Sequence, residues 1–311
     1  MSDGVDHAAA AEFERHRPRL LGLGYRMLGS LAEAEDVVQE AYLRWHRTPQ
    51  AEVRDPLAWL IAAVTRLAID ELRRQRVRRQ SYVGPWLPEP WVMPDELTPG
   101  EAEQQLDLAD DLSVAFLLLL ERLAPEERAA LLLHDVFEAG YPDIAATLGK
   151  SPAAVRQLVS RARRRVSAER QRYPVSADAR RDLVRRFQQA LAARDDAELL
   201  KLFAEDAELL SDGGGKAAAA LRPIRGAAKI VRFFLGVSRG YDLATVALHD
   251  CLINGAPGFV ARDGDGTLLG TFAFESSGGQ VRQVYVVRNP DKLGRLGVSG
   301  QPMASAGSTT A

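Results

Sequence analysis

The apolar positions of this chain fall into two regimes. From Ala9 to about Arg170 they recur at helical spacing, broken by one proline-rich stretch. Beyond Pro174, helices give way to short strand-like runs separated by glycine turns. Phe13, Leu20, Leu21, Leu23, Tyr25 and Met27 predict one or two helices ending at Gly29. Ser30 stands where an N-cap belongs, ahead of a stripe of Val37, Val38, Ala41, Tyr42 and Trp45. The opposite side of that helix carries Asp36, Gln39, Glu40 and Arg44. After a loop over Thr48–Asp55, Pro56 opens a helix that is apolar in front, with Trp59, and arginine-rich behind.

The most ordered signal runs from Pro125 to Arg170. Pro125, followed by Glu126 and Glu127, opens a helix with Leu131, Leu132, Val136 and Phe137 on its apolar face and Gly140 as its expected stop. A short helix over Tyr141–Leu148 follows, then a turn at Gly149, an N-cap at Ser151 and Pro152 in the first helical position. The next helix has Val155, Leu158, Val159, Ala162 and Val166 on one face and Arg156, Arg161, Arg163, Arg164 and Arg165 on the other. Two helices joined by a glycine turn, the second basic, describe a helix-turn-helix. Early side chains of such a helix can reach base edges, and its later arginines can hold phosphates. An ordinary helical hairpin with a solvated basic face is the competing reading.

Between these helical blocks, residues 81–111 hold five prolines, two tryptophans and many acids. A regular helix is excluded before Pro99, and helical character returns over Glu101–Leu123. Disordered spacers are poor in aromatics, so Trp86 and Trp91 are expected to dock. In the last third, helices are predicted at Asp178–Ala193, Asp196–Phe203 and Gly226–Val237. Strands are predicted at Ala207–Ser211, Ala244–His249, Leu252–Ile253, Gly258–Arg262, Thr267–Phe274 and Val281–Val287. The segments 263–266 and 276–279 read as hairpin turns, and the whole as an α+β domain with a curved antiparallel sheet. Residues 294–311 are rich in Gly, Ser and Ala and are expected to be disordered.

At 311 residues the chain can hold two or three domains with real cores. The net charge is only −2, yet arginines cluster at 73–79 and 161–172 and acids at 89–111, which suggests specific anionic surfaces. Cys251 is the only cysteine and the five histidines are scattered, so neither a disulfide nor a metal site is expected. No apolar run is long enough to span a bilayer, and the N-terminus lacks the pattern of a secretory signal. A soluble, cytoplasmic protein without membrane contact is expected.

The segment DVVQEAYLRW, its loop and DPLAWLIAAVTRLAIDELRRQ resemble region 2 of bacterial sigma factors of the extracytoplasmic-function (ECF) type, and the helix-turn-helix resembles their region 4. The resemblance implies that Asp36, Gln39 and Glu40 dock on the β′ clamp helices of core RNA polymerase, with the β flap as a further contact. It implies that Arg54, Asp55, Trp59, Arg66, Arg73 and Arg74 engage the −10 promoter element. Lys150, Ser151, Val155, Arg156, Gln157, Ser160 and Arg161 fall where the −35 element is held. An aromatic, a cationic groove and a loop able to receive an extruded base suit a strand-separating surface. Trp59 could equally be a core residue.

Three further segments resemble motifs of the ECF group that carries a fused SnoaL-like domain: Trp86-Leu87-Pro88-Glu89-Pro90, Asp212-Gly213-Gly214-Gly215-Lys216 and Asn289-Pro290-Asp291-Lys292-Leu293. In that group the extra domain stands in for a separate anti-sigma protein. Asp212 and Lys216 are expected to offer polar contacts to the linker. The expected organisation is multidomain: all-α region 2 over 9–80, linker over 81–111, all-α region 4 over 112–172, an α+β SnoaL-like cone over 174–293, and a tail over 294–311. No catalytic residue and no cofactor is expected. His249, Asp250 and Asp212 are the polar candidates for chemistry in the third domain, and His249 and Asp250 adjoin on a strand, so they face opposite ways. Two other classes remain: a ligand-sensing helix-turn-helix regulator acting without polymerase, and a bifunctional protein whose third domain binds a small molecule.

Overall fold

The computed structural model describes residues 2–49, 53–79, 81–94, 112–167 and 177–296. They form two compact units. One joins Met1–Ser81 to Leu106–Gln171; the other joins Tyr82–Gln105 to Arg172–Ala311.

The first unit is helical: α1 (Ser2–Leu28), α2 (Leu31–Arg47), α3 (Pro56–Arg79), α4 (Val114–Glu121), α5 (Pro125–Asp135), α6 (Tyr141–Leu148) and α7 (Pro152–Ser167). Ser30 caps α2 by accepting the Glu33 N–H at 3.3 Å, and Val37, Val38, Ala41 and Trp45 turn inward. Trp45 is fully buried and donates its indole N–H to the Ala9 carbonyl at 2.9 Å. Ala130, Leu133, Ile144, Ala145, Val155, Leu158 and Val159 build a core among α5, α6 and α7. Helix α5 ends at Asp135, five residues before the glycine expected to stop it. The chain turns there because Phe137 bends back into the core, its N–H bonding the Leu132 carbonyl at 3.1 Å, while Glu138 takes a left-handed φ of 55°. Gly140 instead precedes α6 as its N-cap. The helical expectation over 101–123 holds at α4 alone; residues 101–111 lie outside the described residues.

Like Arg26 and Glu127, Arg128 is a buried charge of this unit. Its side chain donates to the Leu120 carbonyl at 2.8 Å, to the Met27 carbonyl of α1 at 2.5 Å and to Glu121 at 2.8 Å. Burial pushes its pKa down to about 9, so it is still charged at neutral pH and ties α1 to α4 and α5.

The second unit holds α8 (Ala177–Ala192), α9 (Asp196–Leu202), α10 (Ala227–Ser238), α11 (Pro290–Leu293) and one seven-stranded sheet. Its strands are β1 (Val92–Pro94), β2 (Phe203–Asp212), β3 (Ile224–Arg225), β4 (Ala247–Ile253), β5 (Ala256–Arg262), β6 (Leu268–Ser277) and β7 (Gln280–Val287), in the order β1-β4-β5-β6-β7-β2-β3. The sheet is mixed, not wholly antiparallel as expected, because β2 runs parallel to β7. The chain leaves β2 through a long crossover containing α10 before it meanders through β4–β7, and a crossover is what a parallel pair requires. The two runs expected at 244–249 and 252–253 are a single strand, β4.

The linker supplies a strand of its own. Val92, Met93 and Pro94 pair with Ile253, Leu252 and Cys251, so β1 is the rim of the sheet. Pro94 fits there because an edge position does not need its missing N–H. Phe187 sits at the centre of the core with Phe203, Phe234, Phe259 and Phe274 around it. Gly294–Leu296, assigned from composition to a disordered tail, form a 3-10 turn after α11; the rest of that tail lies outside the described residues.

Candidate functional site

Three surfaces and one buried cluster collect the residues singled out in the sequence. On α2, Asp36 and Gln39 are exposed and Glu40 is half-buried, pairing with Arg44 at 2.9 Å. They share a helix face with Leu43, an exposed apolar residue, opposite the buried stripe.

Around α3 the candidates separate by role. Arg54 is exposed. Asp55 caps α3, its carboxylate accepting the Ala58 N–H at 3.0 Å. Trp59 is half-buried, its ring 5.4 Å from that of Trp45. Arg66 donates to the Thr147 carbonyl at 2.9 Å and the Ala146 carbonyl at 3.1 Å, meeting the C-terminal end of α6 where carbonyls lack helical partners. Arg73 bonds Asp70 at 3.2 Å and Glu126 of α5 at 3.1 Å, and Arg74 bonds Glu71 at 2.7 Å.

On the helix-turn-helix, Gly149 takes a left-handed φ of 63° and Ser151 caps α7 through the Ala154 N–H at 3.2 Å. Arg156, Gln157, Ser160 and Arg161 lie on its exposed face. The Arg156 guanidinium stacks 5.8 Å from the Tyr141 ring centre, Arg161 pairs with Glu127 at 3.3 Å, and Lys150 pairs with Glu126 at 3.0 Å. Val155 does not belong with them. It is fully buried against Ile144 and Val159, on the inward side of the same helix. Nearby, burial raises the Asp135 carboxyl, but hydrogen bonds from Arg163 and His134 outweigh it and hold the pKa below the ordinary value.

The buried cluster lies within the second unit and joins all three remaining segments. Asp212 closes β2 with no exposed surface. Its carboxylate accepts from the Tyr82 hydroxyl at 2.5 Å, the Leu87 N–H at 2.9 Å, the Gly214 N–H at 3.0 Å and the Lys292 ammonium at 2.7 Å. Lys292 also donates to the Leu87 carbonyl and lies 4.3 Å from the Trp86 ring centre. Asn289 donates to the Tyr82 hydroxyl at 2.9 Å and caps α11 by accepting the Asp291 N–H at 3.1 Å, with Pro290 in the first turn. Burial, and then the hydrogen bond to Asp212, push the Tyr82 phenol well up, so it stays a donor. Leu87, Pro88, Glu89, Pro90 and Leu293 are buried, and Glu89 lies 3.7 Å from Arg295. Lys216, expected to reach the linker, instead pairs with Asp291 at 2.5 Å.

The glycines are required by this packing. Gly214 has φ 59°, and a Cβ on it would stand 2.3 Å from the Asn289 amide; a Cβ on Gly213 would stand 2.2 Å from the Ala217 carbonyl. Tyr82 and Asn254 belong to the cluster and its rim but carry no pattern in the sequence that would select them. Asn254 takes a left-handed φ of 54°, accepts the Trp91 N–H at 3.3 Å and donates its own N–H to the Trp91 carbonyl at 2.9 Å.

The sheet and α8 and α10 also enclose a cavity of about 450 Å³, lined mainly by aromatic and aliphatic side chains. His249, Asp250 and Asp212 are not among its lining residues. Asp250 accepts instead from the Gln188 amide at 2.6 Å. Among the described residues no cluster of His, Cys, Asp or Glu is placed to hold a metal, and no helix is long and apolar enough to cross a membrane.

These features define a class. The sigma-70 region 2 family matches residues 13–78, the sigma-70 region 4 family residues 113–166, and the SnoaL-like domain family residues 184–292. The chain belongs to the ECF RNA polymerase sigma factors, in the form that carries a C-terminal SnoaL-like domain. It is 38% identical over 291 residues to the ECF RNA polymerase sigma factor SigJ of Mycobacterium tuberculosis, covering 91% of this chain and 92% of SigJ. The crystal structure of that SigJ matches with a TM-score of 0.73 at 35% identity, over 92% of this chain and 98% of the other. The probable ECF RNA polymerase sigma factor SigI of the same species is 34% identical over 194 residues, 62% of this chain and 66% of SigI.

Proposed function

We propose that this sigma factor directs core RNA polymerase to promoters and that its own C-terminal domain governs it by gripping the linker, in place of a separate anti-sigma factor. Asp36, Gln39 and Glu40 form the face that meets the β′ clamp helices, and the helix-turn-helix region meets the β flap. Arg54, Trp59, Arg66, Arg73 and Arg74 serve the −10 element, with Asp55 fixing the start of their helix. Lys150, Ser151, Arg156, Gln157, Ser160 and Arg161 serve the −35 element through base edges and phosphates.

The observation that carries the regulatory reading is the Asp212 carboxylate. A fully buried carboxylate is tolerated only when paired and hydrogen-bonded, and three of its four donors come from the linker and from the segment at 289–293. Those are the three segments whose only common feature in the sequence is resemblance to motifs of one ECF group. The test is promoter-dependent transcription with purified core polymerase, comparing the full chain, Asp212→Asn, and a chain ending after Tyr173. A gain in both altered proteins means the grip inhibits; a loss in both means it assists. Equal activity in all three proteins overturns the regulatory reading. No transcription from any folded version on several promoters overturns the assignment of polymerase and promoter contacts.

A further inference from the structure

The cavity of the second unit is lined by Ser211, the neighbour of Asp212 on β2, and its chemistry is specific. Phe187, Phe233, Phe259 and Phe272 line it, the Phe259 and Phe272 rings stacked with centres 4.7 Å apart, and Val237 and Leu248 leave apolar surface exposed at its lining. Two polar groups stand out among these walls. The Ser211 hydroxyl is buried and has no hydrogen-bond partner among the described residues. The Arg288 side chain donates to the Leu269 carbonyl at 3.1 Å, the Ala218 carbonyl at 2.8 Å and the Tyr241 hydroxyl at 3.0 Å, but has no carboxylate partner among the described residues. A guanidinium carries five N–H donors, so this one is held in place with donors to spare. Ser211 is the register partner of Val286 on the neighbouring strand, and Val286 and Arg288 both line the cavity.

We propose that this cavity binds an amphipathic monoanion: a flat, mainly hydrocarbon body with one carboxylate-like or sulfonate-like head. The body fills the aromatic pocket, whose size suits a small molecule. The head takes the Arg288 charge and the idle Ser211 hydroxyl. A buried hydroxyl left unpaired costs stability, and a ligand acceptor removes that cost.

The site borders two of the three segments of the grip, 212–216 and 289–293, and this part rests on the regulatory reading above. Ser211 precedes Asp212, Ala218–Ala220 follow Lys216, and Arg288 precedes Asn289. The backbone N–H groups of Arg288 and Asn289 both bond the Asp212 carbonyl, at 2.7 and 3.0 Å. A molecule bridging Ser211 and Arg288 therefore fixes the two strand ends that present Asp212 and Asn289, and tightens the hold on the linker.

The test uses the full chain and two probes with the same aromatic body, anionic 8-anilino-1-naphthalenesulfonate and neutral N-phenyl-1-naphthylamine. Saturable one-site binding is expected, at least tenfold tighter for the anion. Ser211→Ala should weaken the anion about fivefold without lowering Tm, and Arg288→Gln should weaken it tenfold or more while leaving the neutral probe within about twofold. Should Arg288→Gln not fold, Ser211→Ala decides alone. Non-saturable binding, or the same affinity for both probes in parent and variants, overturns the site. Hydrogen exchange at the Leu87 amide reads the coupling: saturating anion should slow it at least threefold, and Asp212→Asn without probe should speed it. If Asp212→Asn leaves that exchange unchanged, the grip fails and the cavity stands. If Asp212→Asn speeds it but the bound anion does not slow it, the grip stands and the coupling is overturned.

Discussion

The two units hold their parts together with different chemistry. In the helical unit, α3 meets α5 and α6 through Ile61, packed against their core, and through arginines at the surface: Arg66 on the carbonyls of Ala146 and Thr147, and Arg73 on Glu126. Exposed contacts of this kind are worth little each and weaken further in salt. In the second unit, the linker is held by a carboxylate with no exposed surface and an ammonium almost as deeply placed. There, loss of one partner strands the other as a buried charge. Apart from the buried Arg128, which ties α1 to α4 and α5, the polar contacts across the helical unit are weak one by one, whereas the linker contact is costly to break at any single partner.

The largest expected effect comes from removing the buried carboxylate. Asp212→Ala strands Lys292, the Tyr82 hydroxyl and the Leu87 N–H, at a cost of about 3–5 kcal/mol in the stability of the second unit. Urea unfolding followed by hydrogen exchange of each unit separately would measure it, and a loss under about 1 kcal/mol would erase the contrast. Arg128→Met should cost the helical unit about 2–3 kcal/mol, since it empties the three acceptors of a buried cation. This variant tests whether that unit owes its cohesion to one interior charge more than to its surface pairs. Gly214→Ala should cost about 2 kcal/mol, from a left-handed backbone and a clash with Asn289, and should loosen Tyr82 in the same exchange experiment. Arg66→Ala and Arg73→Ala should each cost under about 1 kcal/mol. A larger loss in either would place α3 in a firm interface.

The smallest effect is the most specific to pH. The folded pKa of Asp135 is depressed, so its pairing contributes stability at neutral pH that is lost as pH falls below about 4, through the folded pKa. Asp135→Asn should flatten the acid limb of the helical unit by a few tenths of a kcal/mol, after discounting for its partial exposure.

Much of the helical unit is legible from spacing and caps. Ser30, Ser151 and Pro152 stand at helix starts because the unsatisfied N–H groups there want an oxygen acceptor or no donor at all. Val155 shows the limit: a helix places neighbours in sequence on different faces, and a family position names a helix more readily than a side. Asp55 and Trp59 carry local duties, a cap and a ring packed on Trp45, that the sequence does not separate from DNA contact. In the second unit, helices and hairpins follow from local signals, but two features depend on pairing across long stretches of chain. The parallel match of β2 with β7 and the addition of Val92–Pro94 to β4 have no local signature, because an edge strand of three residues is too short to show periodicity. Tyr82 is invisible for the same reason; only the fold brings it to Asp212, 130 positions away in sequence. The cavity groups Ser211 and Arg288 read as ordinary strand and turn residues until the sheet encloses them.

The placement of Val92–Pro94 has a bearing on solubility. Both rims of the sheet are closed by very short strands, three residues at β1 and two at β3, which is how natural sheets avoid pairing with their neighbours. Were the linker drawn out of the sheet, the backbone of Cys251, Leu252 and Ile253 would be bared at the same moment. Those groups would then be open to a strand from a second copy, and self-association at high concentration would follow.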